Sequence, residues 1–230
     1  MTADIYGREK ILLGEEGFQA LRAAKVAVCG LGGVGSYAAE TLARSGVGTL
    51  ILLDFDTITA SNINRQLYAL HSTLGKDKAD VAAARIADID PTCLVQIKKA
   101  YIDQENPATF LGKVDYIVDA IDFLPGKVGL IQYAHEANIP IICAMGAGKR
   151  LAPEKLEIAD ISRTHICPLA KKLRKELKAV GIDQGVDVVF STEQPLTQKD
   201  NSAIGSMAFV PAAMGIIMAS WVVRKLAGKA

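Results

Sequence analysis

The chain has 230 residues, half of them apolar, with 20 glycines, four cysteines and a formal net charge of +1. That length supports one sizeable core, and the composition excludes a disordered chain or a small disulfide-stapled scaffold. The near-zero charge excludes a global field that would draw the chain onto nucleic acid or membrane, although a local basic patch stays open.

In chain order, the N-terminal Asp4, Arg8, Glu9 and Lys10 lack the apolar run of a signal peptide. Lys25–Cys29 is a short β-branched run that reads as a buried parallel strand. Gly30-Leu-Gly-Gly-Val-Gly35 follows, and Ser36–Ser45 reads as a helix. Strands are expected over Thr49–Asp54, Leu94–Lys98, Tyr116–Ile121 and Pro140–Ala144, and helices over Val81–Ile89 and Lys127–Ala137. This β-α-β alternation predicts a Rossmann-like α/β fold, a mostly parallel sheet with helices on both faces.

After Gly148 the rhythm changes. Leu156–Asp160 and Asp187–Ser191 read as strands and Leu169–Val180 as a helix, while polar Gln194–Ser202 reads as a mobile loop. The expectation is one ATP-binding domain over 1–230, with its core near 20–148 and a smaller C-terminal α/β layer near 149–230. The stretch Gly205–Val223 is nearly free of charge and about as long as a membrane span. Pro211 and Gly215 interrupt it, so a buried helix is the preferred reading, with lipid contact as the alternative.

Gly30, Gly32 and Gly35 satisfy G-x-G-x-x-G between a strand and a helix, with Gly33 inside the loop. Small residues let the backbone approach phosphate, and the helix N-terminus favours negative charge. Asp54 ends the next strand, where a carboxylate accepts hydrogen bonds from ribose hydroxyls. Up to this point ATP and NAD fit equally.

The next segment favours ATP. Asp56, Asn62, Arg65, Gln66 and Lys78 follow the second strand, and Asp119-Ala-Ile-Asp122 closes a later one. Hydride transfer needs no cations beside the phosphates, whereas nucleotidyl transfer must hold negative charge as pyrophosphate departs. Arg65 and Lys78 supply cations, and Asp122 is the candidate ligand for Mg2+. The candidate catalytic set is therefore Arg65, Lys78 and Asp122.

Gly30-Leu-Gly-Gly-Val-Gly-Ser36, Asp54-Phe-Asp56, Asn62-Ile-Asn-Arg-Gln66, Lys78 and Asp119-Ala-Ile-Asp122 together resemble the adenylylating domain of E1-like activating enzymes, over nearly the whole chain. The resemblance implies that Asp54 binds ribose, that Asn62, Arg65, Gln66 and Lys78 surround the triphosphate, and that Asp122 binds Mg2+. Tyr6-Gly-Arg8 resembles the family's N-terminal Y-x-R segment. That implies a homodimer in which Arg8 reaches the partner's ATP site.

Arg163–Arg174 and Val188–Glu193 resemble the branch of the family that dehydrates threonylcarbamoyladenosine in tRNA. That branch implies a cytoplasmic enzyme that adenylylates the carboxylate of the modified adenosine at position 37 of tRNA and cyclises it. The alternative is adenylylation of the C-terminus of a ubiquitin-like sulfur carrier, and a nucleotide-binding module without turnover is a third reading. The paired zinc cysteines of many carrier activators are missing, which disfavours the second. Some dehydratase relatives carry a cysteine in the segment matching Asn201–Ser206, and this chain has none there. Cys167, two residues after His165 on an expected extended segment, is the most suggestive thiol, and Cys29 reads as core. Lys171–Lys178 carries five cations and one anion on an expected helix, with Lys149 and Arg150 extending a basic patch suited to tRNA phosphates.

Overall fold

A computed structural model of the chain describes residues 5–198 and 203–229. They form a seven-stranded sheet in the order β3-β2-β1-β4-β5-β7-β6. Its strands are β1 (Lys25–Cys29), β2 (Thr49–Leu53), β3 (Leu94–Lys98), β4 (Tyr116–Asp119), β5 (Ile141–Ala144), β6 (Leu156–Asp160) and β7 (Asp187–Ser191). All neighbours pair in parallel except β6, which runs antiparallel to β7 at the edge. The C-terminal α/β layer expected after residue 149 is thus carried on the same sheet.

The helices are α1 (Gly7–Ala23), α2 (Gly35–Arg44), α3 (Lys78–Ile89), α4 (Pro107–Leu111), α5 (Leu124–Glu136), α6 (Pro168–Ala179) and α7 (Phe209–Leu226). Strand side chains alternate between two cores, as the pleat dictates. Val26, Val28, Leu50 and Leu52 pack with Leu42 of α2, Ile86 of α3 and Met214 of α7. Ala27, Cys29, Ile51 and Leu53 face Leu130 of α5 and Leu173 of α6. Strands β1, β2, β4, β5 and β7 are buried on both faces and read as apolar runs, whereas edge strand β3 is largely exposed and alternates.

One local expectation changes, and one segment that carried none proves helical. The N-terminal segment is helical, with a break at Gly14, where φ is 75°. Tyr6 anchors it: the buried hydroxyl donates to Asp90 Oδ2 at 2.8 Å and lies 3.1 Å from the Ala43 carbonyl oxygen. Pro211 does not interrupt α7, because it sits in the first turn, where a missing N–H costs nothing. Gly215 lets α7 approach α2, since a Cβ there would lie 2.2 Å from the Val34 carbonyl oxygen. Helix α7 is long and apolar enough to cross a membrane, but Val210, Met214, Met218 and Val222 bury one face of it in the core.

Candidate active site

Chain order reverses across the boundary between β1 and β4: β2 and β3 lie on one side, and β4, β5 and β7 on the other. Open α/β sheets leave a crevice at the carboxyl ends of the strands flanking such a switch. Here that crevice is a cleft of about 880 Å³. Gly30, Gly32 and Gly33 line it, with Asp54, Asp56, Asn62, Arg65, Gln66, Lys78 and Asp122. Residues from five stretches of sequence therefore share one cavity. Gly35 is buried behind the loop, at the start of α2. Arg8 is exposed on α1 and is not among the residues lining the cleft.

Backbone geometry explains the glycines. Gly30 has φ of 86°, and a Cβ there would sit 2.8 Å from the Ala120 carbonyl oxygen. At Gly35 a Cβ would lie 1.7 Å from the carbonyl oxygen of Gly30, so any side chain would force the loop open. Ser36 Oγ donates to the Gly32 carbonyl at 2.6 Å, and the Tyr68 hydroxyl donates to the Ser36 carbonyl at 3.0 Å.

Asp54 ties the loop to β2. Its Oδ2 accepts Leu31 N–H at 2.6 Å and its Oδ1 accepts Asp56 N–H at 2.8 Å. Burial raises this carboxyl above the usual range, against the opposing Lys78 cation and the two backbone donors. A carboxylate accepts about four hydrogen bonds, so acceptor capacity remains for a ribose. Lys78 opens α3, its Nζ 2.6 Å from Asp56 Oδ2, with the lysine side chain 6% exposed and the aspartate 47%. Arg65 Nη1 donates to the Ser61 carbonyl at 2.7 Å and to Asn64 Oδ1 at 3.0 Å, which fixes the guanidinium at the cleft. Asn62 Oδ1 accepts Thr59 N–H, capping a short 3-10 turn. Asp122 is exposed on the loop after β4.

Several features were not legible in the sequence. Asp119 and Lys127, both fully buried, form an ion pair at 2.9 Å beneath the loop after β4, and Lys127 Nζ also donates to the Ile121 carbonyl. Phe55, Tyr101 and Phe123 meet at the cleft mouth, with ring centroids 5.0 Å and 5.2 Å apart. Arg150 does not extend a surface patch, because it is 3% exposed and lines the cleft. The segment joining His165 to Cys167 is not extended, since Ile166 between them has φ of 61°. His165 packs edge-on against Phe190, while Cys167 is buried in the cleft wall. On α6, Lys171, Lys172, Lys175 and Lys178 are exposed, but Arg174 turns inward and donates to the Thr164 carbonyl. In the expected loop, Pro195 lines the cleft; residues 199–202, including Asn201 and Ser202, lie outside the described residues.

Chemically, the cleft offers a close backbone approach together with the Arg65 and Lys78 cations, the Asn62 and Gln66 amides and the exposed Asp122 carboxylate. That set suits a polyphosphate and the charge that develops when one of its bonds breaks.

Known proteins resemble the whole chain. A tRNA threonylcarbamoyladenosine dehydratase of Bacillus subtilis is 41% identical over 238 aligned residues, covering 96% of this chain and 94% of the relative. That of Escherichia coli is 34% identical, covering 98% and 94%. A crystal structure of the Escherichia coli tRNA N6-threonylcarbamoyladenosine dehydratase with ATP superposes with a TM-score of 0.91, at 36% identity over 97% of this chain and 94% of that one. A molybdopterin-synthase adenylyltransferase of Salmonella typhimurium is 35% identical, but over 139 residues, 60% of this chain and 56% of that one. With a model of the ThiF family matching residues 6–230, the chain belongs to the ThiF family.

Proposed function

We propose that the chain is a cytoplasmic, ATP-dependent dehydratase that adenylylates the carboxylate of threonylcarbamoyladenosine in tRNA and closes it into a ring. One observation carries the reading: Arg65 and Lys78 line the same cleft as a glycine loop that no Cβ could enter at Gly35. Similarity end to end with named dehydratases supports the substrate. Similarity to the molybdopterin-synthase adenylyltransferase covers only 139 residues, so the alternative, adenylylation of a carrier protein, is the weaker reading.

Each residue then has a role. Gly30, Gly32 and Gly33 present backbone to the phosphates, and Asp54 accepts from the ribose hydroxyls. Asn62, Arg65, Gln66 and Lys78 hold the triphosphate. Asp56 holds the Lys78 ammonium until phosphate replaces it, their separation being 2.6 Å. No group of three or more His, Cys, Asp or Glu suited to a metal occurs among the described residues. The exposed carboxylate of Asp122 fits a hydrated ion carried by the nucleotide rather than a protein cage. There Mg2+ would neutralise phosphate charge. In a homodimer Arg8 of each protomer would add a cation to its partner's site, and its exposure on α1 leaves it available. Lys171, Lys172, Lys175 and Lys178 would meet tRNA phosphates.

A carboxylate oxygen attacks the α-phosphorus, and the bond to the bridging oxygen breaks as pyrophosphate leaves with the electron pair. Arg65 and Lys78 stabilise the charge developing on that oxygen. A nitrogen of the threonylcarbamoyl group then attacks the activated carbonyl, loses its proton and expels AMP. The attack is intramolecular, so positioning replaces a nucleophilic side chain, and Cys167 is not required. Incubation with ATP, Mg2+ and tRNA bearing threonylcarbamoyladenosine is expected to lighten that nucleoside by the mass of one water, with one AMP formed per event. An unchanged nucleoside mass would refute the substrate.

A further inference from the structure

Arg150 is a buried cation with donors to spare. It is 3% exposed, and its Nε and Nη2 meet no hydrogen-bond partner among the described residues. Guanidinium N–H groups are seldom left so, because an unsatisfied buried charge is costly. The residue lines the same cleft as Gly30 and Lys78. Its loop leaves the sheet from β5, which pairs with β4, which pairs with β1. Two strand spacings, about 10 Å in all, therefore separate the start of this loop from the glycine loop. The glycine loop and the Arg150 loop thus enter one cleft from different strands.

The surroundings hold the guanidinium in place without satisfying it. Lys149 before it has φ of 60°, its N–H donates to the Gly205 carbonyl and its own carbonyl accepts Leu196 N–H, both at 2.8 Å. Glu193 lies within electrostatic reach but spends its oxygens on the Leu151 and Ala152 N–H groups. The Ala152 hydrogen bond foremost, and Arg150 among the nearby cations, hold the Glu193 carboxyl below its usual range. Countercharge is thus present while the Nε–Nη2 edge, the fork that carboxylates fit, stays unoccupied.

We infer that Arg150 anchors the acceptor carboxylate in the cleft it shares with the triphosphate. This rests on the function proposed above and names the residue that selects its substrate. The Nε–Nη2 edge grips the carboxylate, and one of its two oxygens forms the bond to the α-phosphorus. Lys172, exposed and lining the same cleft, adds positive potential there.

The test measures binding of the free threonylcarbamoyladenosine nucleoside and of its methyl ester, with a non-hydrolysable ATP analogue present. The wild-type chain should prefer the acid by about tenfold to a hundredfold. Arg150→Gln should bind acid and ester almost equally, and Arg150→Lys should recover part of the preference. ATP affinity of both variants should stay at wild type, and the thermal midpoint of Arg150→Gln should stay at or above it, since that variant removes an unsatisfied buried charge. An acid preference retained in Arg150→Gln, or absent from the wild type, overturns the inference. So does a parallel loss of ATP affinity, which would put Arg150 on the triphosphate, or a lower thermal midpoint in both variants, which would make it structural. Failure of the proposed function shows separately, as no loss of water from tRNA by the wild-type chain.

Discussion

Lys78→Met separates the chemistry of the cleft from the stability of the fold. The lysine side chain is 6% exposed, so its methylene stem is buried, and methionine keeps that packing while removing the charge. The lost ion pair joins Lys78 to an aspartate that is 47% exposed. A pair with one partner in water contributes about 1 kcal/mol or less. For a chain of 230 residues that is a fall in Tm of no more than about 4 °C. The same change removes a preorganised cation from the departing pyrophosphate, which costs roughly a hundredfold to a thousandfold in rate. Single-turnover dehydration of tRNA under saturating ATP, beside a thermal melt of the same sample, reads both numbers. A rate within about threefold of wild type would refute the assignment of Lys78 to the phosphates. A Tm fall beyond about 10 °C would show that the ammonium holds the fold instead.

Lys127→Met should behave in the opposite way. It strands the fully buried Asp119 carboxylate, at a cost of about 3–5 kcal/mol, so Tm falls by roughly 6–20 °C, and adding Asp119→Asn recovers most of it. An unchanged melt would contradict the pairing. Asp90 predicts a pH window. Burial raises its carboxyl, but Thr92, Tyr6 and Arg22 outweigh that and bring it from 3.8 to about 2. Its folded value is the lower one, so its contribution is complete above pH 4 and lost as pH falls toward 2. The stake is about 2 kcal/mol. Denaturant titrations across that range should show the loss, and Asp90→Asn should flatten it. Asp122→Asn should shift the Mg2+ titration of activity to severalfold higher concentration while the melt stays unchanged. An unshifted titration would remove Asp122 from the metal site.

Sequence made the inner strands legible because they are buried on both faces, and such strands are short continuous apolar runs, while edge strand β3 showed itself by alternation. The glycine loop was legible for a local reason: Gly30 and Gly35 must meet within six positions. Helix α1 was not, because Gly14 breaks it and Ile11 and Leu12 are more than 80% exposed, so no clean apolar stripe forms. The rest of the site depends on topology. Phe55, Tyr101 and Phe123 follow three different strands, and only the order β3-β2-β1-β4 brings their rings together. Asp119 and Lys127 are charges that read as solvated until the loop after β4 folds one over the other. Arg150 reads like its neighbour Lys149, a surface cation, and only the turn at Lys149 sends it inward.

The most direct measurement labels both oxygens of the threonylcarbamoyladenosine carboxylate with the heavy isotope and follows them by mass spectrometry. Attack on the α-phosphorus transfers one labelled oxygen to the phosphate of AMP as the ring closes, leaving the other in the cyclic product. Label appearing in inorganic phosphate or in water, with unlabelled AMP, would contradict adenylylation of the carboxylate.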